Sequence, residues 1–382
     1  MIWHKAVKAY RLIRGAETCC DHPPRTIGVA FMPWWPGTFY QARLVQDLAV
    51  HGVHVQGRDL SLRSLLCLLS RRECDDVIHV HWPHGTYVSR YWRVPFVVLH
   101  LWLYRMFKNN VVWTVHELEF YETHFPTLDR IVVHSLLKLA RALVVHSDYS
   151  AGVVRERYGY RGELRVLRHP SFAGCYPNTI GKQAARRSLD LPDDAFVYLF
   201  LGHIKPYKGV EGLIAAFRAL HDPRLRLVIA GKPLDERLGR RIGVAAARDP
   251  RIAAHIGYLP DERLQVYMNA ADVVVCPFRR IHTSASVILG MSFGRPVIMP
   301  RIAALPEDVP PDAGMFFDPE DPNGLQTALV LAQEADLETM GRRARESVEG
   351  RTWRAFALEH SRLYRDIAPV RARARARGGL AS

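Results

Sequence analysis

Short apolar runs alternate with stretches of helical periodicity along the 382 residues, and the alternation occurs twice. In the first half TIGVAFM (26–32) reads as a buried strand. TFYQARLVQDLAVHG (38–52) follows as an amphipathic helix stopped at Gly52. DVIHVHW (76–82), VVWTV (111–115) and ALVVHS (142–147) are further strands, the last running into a helix that ends at Gly159. The second half reads FVYLFLG, helix, RLRLVIAG, helix, IAAHIGY, helix, ADVVVCP, helix, RPVIMP. Runs that are apolar throughout suit parallel strands covered on both faces. Their regular alternation with helices predicts an α/β chain of two Rossmann-like, doubly wound domains. The turn-rich stretch 169–186 is expected to link them. The layout expected is a basic N-terminal segment (1–24), a first domain (25–172), a second domain (173–350), a C-terminal helix (351–368) and a basic disordered tail (369–382). Two such domains leave a cleft, and ligands bind beyond the carboxyl ends of the strands. Polar residues at those ends are therefore the first candidates.

Charge narrows the partners. The chain carries 52 basic and 38 acidic side chains, net +14, which implies an anionic partner. Much of the excess lies in tails and flanks, and no DNA- or RNA-binding module is evident, so nucleic acid is not the expected partner. The six cysteines are scattered without zinc-finger spacing, as in a reduced cytosolic protein. The N-terminus lacks the apolar core of a signal peptide. The apolar run 94–104 is roughly half the ~20 residues a membrane span needs. Its surroundings, RYWRVPFVVLHLWLYRMFK, mix aromatic, aliphatic and basic residues as an interfacial segment does. A peripheral position on an anionic membrane surface, on its cytoplasmic face, is expected; a buried core helix is the alternative.

The junction LGHIKPYKGVEGL (201–213) sits between a strand and a helix. Gly202 and Gly209 let backbone approach a ligand. Lys205 and Lys208 add mobile charge, and the following helix start adds unpaired N–H groups. This set suits a diphosphate, and an ordinary strand–helix turn with solvated lysines is the alternative; it is not a P-loop, since GxxxxGK[ST] is absent. His203 lies in the same turn, and Gly231, Tyr258 and Leu259 end two later strands. After VVVCP, Arg279 and Arg280 precede His282, Thr283, Ser284, Ala285 and Ser286, small polar residues able to present N–H and hydroxyl groups, or simply to cap a helix.

In this order the pieces LGHIKPYKGVEGLIAAF, RLRLVIAGKP, IGYLPDERLQVYMNAADVVVCPF and ILGMSFGRPVIMP resemble the nucleotide-sugar domain of GT-B glycosyltransferases, over about 110 residues. Within these the chain is similar to the β-mannosyltransferases of xanthan-type exopolysaccharide assembly, through His81-Trp82-Pro83, the strand end Trp113-Thr114-Val115-His116, Pro206-Tyr207-Lys208-Gly209 and the segment 281–285. The resemblance implies that Lys205 and Lys208 bind the donor diphosphate. It implies also that Tyr258 and Leu259 flank the base, and that His282 to Ser286 meet phosphate and sugar. It implies GDP-mannose as donor, a polyprenyl-diphosphate-linked oligosaccharide as acceptor, and no cofactor. Many retaining members carry a Glu-x7-Glu pair where this chain has Ile281 and Leu289. That departure fits an inverting, metal-independent transfer and leaves the ribose contact unassigned. It also keeps open a retaining enzyme with another donor, or a non-catalytic sugar-nucleotide binder.

Inverting transfer needs one base to take the acceptor proton. His116, Glu117, Glu119 and Glu122 crowd one strand end. Glu122 is the first choice on the resemblance, then Glu117, then Glu119; helix capping or pairing with surface arginines is the alternative for each. Trp35 and Gly37, in the loop after the first strand, and His81 are the expected acceptor contacts. His79 and His81 share a strand face, but no further ligand lies at metal spacing, so no metal is expected.

Overall fold

The computed structural model describes residues 27–58, 75–87, 90–108, 110–119, 121 and 125–368. The basic N-terminal segment, the tail and Glu122 lie outside the described residues. The chain divides into two compact units, 1–168 with 352–382, and 169–351.

The first unit is built on a parallel sheet of β1 (Ile27–Met32), β2 (Val53–Gly57), β3 (Val77–Val80), β4 (Val111–Thr114), β5 (Ala142–Val145) and β6 (Glu163–Val166). Its order is β2-β1-β3-β4-β5-β6. The helices around it are α1 (Phe39–Val50), α2 (Val94–Lys108), α3 (Pro126–Leu139) and α4 (Asp148–Glu156). β1, β3, β4 and β5 are buried at every position, as continuous apolar runs in a doubly covered sheet must be. Trp113 on β4 is fully buried in one core with Val97, Leu101 and Tyr104 of α2 and Leu136 of α3.

The second unit has the parallel order β12-β11-β10-β7-β8-β9. Its strands are β7 (Phe196–Leu201), β8 (Leu225–Gly231), β9 (Ile252–Ile256), β10 (Val273–Val275), β11 (Val297–Pro300) and β12 (Gly314–Phe317). The helices are α5 (Lys182–Arg187), α6 (Val210–Arg218), α7 (Glu236–Ala246), α8 (Leu264–Ala270), α9 (Ala285–Ser292), α10 (Leu305–Asp308), α11 (Gly324–Glu334) and α12 (Leu337–Glu349). Phe200, Phe217, Ile229, Ile242 and Leu329 form its core.

Two boundaries differ from the expected layout. The units divide at 168/169, and the turn-rich stretch belongs to the second unit, where Asn269 donates to Asn178 (2.7 Å) and to the Ile180 carbonyl (2.9 Å). The last helix, α13 (Trp353–Ile367), belongs to the first unit. It lies on α1, with Trp353 edge-on to Phe39 and Tyr40, both at 5.5 Å between ring centroids. Its buried face of Trp353, Phe356, His360, Leu363 and Tyr364 repeats at helical spacing.

Candidate functional site

In each sheet the chain reverses its direction of growth once. Loops leaving the two strands at that point turn opposite ways and open a crevice. In the second unit the reversal lies between β7 and β10, and the loops concerned are 202–209 and 276–284. Both are segments in which donor-binding residues are expected.

Three adjacent strands there end in glycines with positive φ: Gly202 (139°), Gly231 (149°) and Gly257 (155°). The first two touch. A Cβ on Gly231 would lie 1.9 Å from the Gly202 carbonyl oxygen, so only glycine fits. A Cβ placed on Gly202 would stand 3.3 Å from Ser286 Oγ and 3.5 Å from Lys208 Nζ. The lysine of the first loop and the hydroxyl at the start of α9 therefore meet over one glycine. Lys208 is held there by its loop. Its N–H donates to Lys205 C=O (3.0 Å), Arg279 N–H donates to Tyr207 C=O (2.8 Å), and Gly209 turns at φ 71° directly against Pro277 C=O. Lys208 Nζ lies 5.7 Å from the Phe278 ring centroid. The nearby Cys276 thiol is pushed up to about 12 by burial, with the Lys208 charge opposing.

The other expected donor residues fall into distinct settings. Ser284 caps α9, its oxygen accepting from Val287 N–H at 3.3 Å, which is the plain capping role. His282 is buried, Thr283 and Lys205 are half-buried, and His203 is exposed. Tyr258 stands 71% exposed past β9 with Leu259 half-buried beside it, leaving an aromatic face open to stacking. Ile281 and Leu289 occupy the positions of the absent glutamates, both half-buried.

In the first unit the reversal lies between β1 and β3. The loop after β1 is fastened by fully buried Gln41, which accepts from Trp35 N–H (2.7 Å) and donates to Pro33 C=O (2.9 Å). The Trp35 indole lies over Gly85, where a Cβ would fall 2.0 Å from the ring, and stacks on Trp82 (5.8 Å, 19°). Trp82 stacks in turn on His116 (4.2 Å, 16°). The result is a half-exposed aromatic ladder of Trp35, Trp82 and His116 across the ends of β1, β3 and β4. Gly37 is exposed beside it, with no atom within 4 Å of where a Cβ would be.

His81 does not belong to that surface, contrary to the expected acceptor contact. It is fully buried, stacked on His79 at 4.3 Å, with its Nδ1 3.4 Å from His116 Nε2. The strand end lies beneath Tyr40 and Trp82, so Trp82 takes the surface place. His81 and Trp82 are adjacent in one motif, and sequence gives no sign of which ring of the pair turns outward. The buried histidines continue inward. His79 hydrogen-bonds Tyr364 (2.6 Å) and Thr114 (2.7 Å) and stacks on His360 (5.6 Å), and His146 lies 5.3 Å from His116. Burial and neighbouring imidazoles hold His79 and His81 well below their ordinary range. Burial also lowers His146, and lowers His360 to about 4. Among the described residues no group of histidine, cysteine and carboxylate side chains could hold a metal ion.

Of the candidate bases, Glu119 is exposed and pairs with Arg157 (3.0 Å), the surface role allowed for these acids. Glu117 is half-buried between His116 and the core residue Leu118.

Comparisons with known proteins agree with this architecture. Residues 195–333 match the family described as glycosyl transferases group 1. A GDP-mannose:glycolipid 4-beta-D-mannosyltransferase of Xanthomonas campestris pv. campestris (strain ATCC 33913) is 31% identical over 169 residues, 44% of this chain and 47% of that protein. A protein of the same name from Xanthomonas campestris pv. campestris is 27% identical over 318 residues, 81% of this chain and 84% of that one. The chain thus aligns with under half the length of the first relative and most of the second. Sucrose-phosphate synthase from Thermosynechococcus elongatus superposes with a TM-score of 0.74 at 21% identity, covering 90% of this chain and 99% of that one. The chain has the GT-B fold, and its residues 195–333, within the second unit, match the glycosyl transferases group 1 family.

Proposed function

We propose that this chain is a nucleotide-sugar-dependent hexosyltransferase that moves mannose from GDP-mannose to a lipid-linked oligosaccharide. The observation that carries the transferase reading is the meeting of Lys208 Nζ, Ser286 Oγ and the α9 N-terminus over Gly202 at the switch point of the second sheet. The activity for which the two Xanthomonas relatives are named supports the donor and the glycolipid acceptor.

In this reading Gly202 and Gly231 admit the diphosphate. Lys208, with Lys205, neutralises it, and Ser286 and the α9 N–H groups hydrogen-bond its oxygens. His203, His282 and Thr283 line the same strand ends, and Tyr258 with Leu259 covers the base. Trp35 and Trp82 form the sugar platform of the first unit. A carboxylate of 117–122, with Glu122 ahead of Glu117, takes the proton of the acceptor hydroxyl. The freed oxygen attacks C1 of mannose and GDP leaves with the bonding electrons, inverting the anomeric centre. Positive protein charge stabilises the departing diphosphate, so the reaction proceeds without a metal cofactor.

A thermal-shift panel with GDP-mannose, UDP-glucose, UDP-N-acetylglucosamine and the matched diphosphates, without and then with magnesium, tests the donor half. Binding to the native state raises Tm by mass action. Among the sugar donors a shift with GDP-mannose alone is expected, with GDP the one diphosphate that also shifts Tm. A shift only with a uridine donor would replace the donor, and none at all would leave a non-catalytic GT-B protein.

A further inference from the structure

Helix α2 buries only one face. Val94, Val97, Leu101 and Tyr104 are at most 3% exposed and pack in the core of the first unit. The opposite face leaves Phe96 (54% exposed), Leu99 (44%), Trp102 (51%) and Met106 (53%) in water, with Trp92 just ahead (63%). Residues three or four apart share one side of a helix, so these form a stripe. Scattered exposed apolar residues are ordinary, but a contiguous stripe of large ones marks a contact surface. The stripe belongs to a 15-residue helix, and no described helix is long and apolar enough to cross a membrane, which leaves an in-plane contact.

Charge beside the stripe indicates what it meets. The sequence of α2 contains no acidic residue, and Arg93 lies against the Trp92 ring at 5.5 Å. Arg105, on the flank of the stripe, opens onto a pocket of about 540 Å³ with Arg141, Arg165, Glu163 and Asp366. Arg165 is neutralised there by Glu163 (2.7 Å) and Asp366 (3.3 Å). The guanidinium groups of Arg105 and Arg141 make no hydrogen bond or ion pair among the described residues. Two uncommitted guanidinium forks beside an aromatic stripe match a phosphate that sits at the edge of an apolar phase.

We propose that this face docks on an anionic bilayer, with the α2 stripe seated in the interface and Arg105 and Arg141 holding a phospholipid headgroup phosphate in the pocket. The proposal is independent of the transferase reading, because neither donor nor acceptor takes part in it.

Flotation of the full chain with phosphatidylcholine vesicles, with and without phosphatidylglycerol, is the test. Partition onto the anionic vesicles is expected to exceed that onto neutral ones by on the order of tenfold, and to fall with salt. Phe96→Glu with Trp102→Glu should abolish binding to both while leaving Tm and circular dichroism unchanged, as exposed sites allow. Arg105→Gln with Arg141→Gln should keep the weak neutral binding and lose most of the anionic gain. The proposal is overturned if the glutamate variant floats like the parent, since the attraction would then lie in charge elsewhere on the chain. It is also overturned if the parent does not float but forms a dimer that the glutamate variant dissolves, which would assign the stripe to a second copy. Stabilisation by millimolar glycerol 3-phosphate in a chain that ignores vesicles would make the pocket a free-phosphate site instead.

Discussion

In the proposed transferase a few side chains carry the donor half. Lys208 faces Ser286 Oγ over Gly202, and hydrogen bonds to charged groups are worth about 1.5 to 3 kcal/mol. Lys208→Ala is therefore expected to weaken nucleotide-sugar binding by roughly tenfold to a hundredfold, with Tm in the absence of donor little changed; unaltered affinity by calorimetry would remove Lys208 from the diphosphate site. Gly209→Ala should differ in kind. Its φ of 71° and the Pro277 oxygen 1.9 Å from a Cβ make the substitution costly to the fold itself, so Tm falls as well as affinity. For the base, a positioned carboxylate contributes typically ~10²–10⁴-fold. Glu122→Gln or Glu117→Gln should reduce kcat by that order, and full turnover in both variants and in Glu119→Gln would place the base outside this segment. The sequence puts these residues forward because glycine and lysine at a strand–helix junction suit an anion, although an ordinary turn with solvated lysines reads the same way. What was not legible was the direction of rings after β3. His81 and Trp82 are neighbours in one motif, and only the packing of Tyr40 over His81 decides that Trp82 faces out.

At the scale of elements, the strands that the sequence announces are those in the middle of the sheets and one edge, β9, read from IAAHIGY. β1, β3, β4, β5, β7, β8, β10 and β11 are covered on both faces and read as unbroken apolar runs. The strands it conceals are edges: β2, VHVQG; β6, ELRV; and β12, GMFF, with exposed or half-buried positions in each. An edge strand has one paired side and needs less apolar sequence. The allegiance of α13 was hidden for another reason. Its amphipathic pattern predicts that it packs but not on which unit, since the partner α1 lies more than 300 residues earlier. Trp353, Phe356, Leu363 and Tyr364 are at most 5% exposed. At about 2 to 3 kcal/mol each their burial is worth about 10 kcal/mol, comparable with the whole stability of a domain. Ending the chain at Arg351 should therefore unfold the first unit while the second keeps its hydrogen-exchange protection. Equal protection of both units after this truncation would show that α13 is an appendage.

The two units should respond differently to acid. The first buries His79, His81, His146 and His360, each shifted downward because burial disfavours the imidazolium and neighbouring imidazoles reinforce this for three of them. Thr114 and Tyr364 hydrogen-bond His79, the Phe356 carbonyl accepts from His360, and the Leu167 carbonyl meets His146, so each of these three rings has a hydrogen-bond partner in its neutral form. In the second unit His255 is shifted down by burial, and it is half-buried. An unfolded histidine titrates near 6.5. Below that pH the unfolded chain takes up protons that the folded first unit refuses, so stability present above about pH 6.5 is lost as pH falls. For His360, with a folded value of about 4, the loss at pH 5 is about 2 kcal/mol, and the other three act with the same sign. The first unit should thus open between about pH 6.5 and 5 while the second stays closed. Hydrogen exchange followed by peptide mass at pH 7 and pH 5 reads the two units separately. Faster exchange confined to β3, β4, β5 and α13 is the expected pattern. His360→Phe should shift the midpoint to lower pH, since it removes one proton acceptor from the unfolded chain at the same packed position. Loss of protection spread evenly over both sheets would mean that carboxylates throughout the chain, rather than the buried histidines of the first unit, set its acid limit.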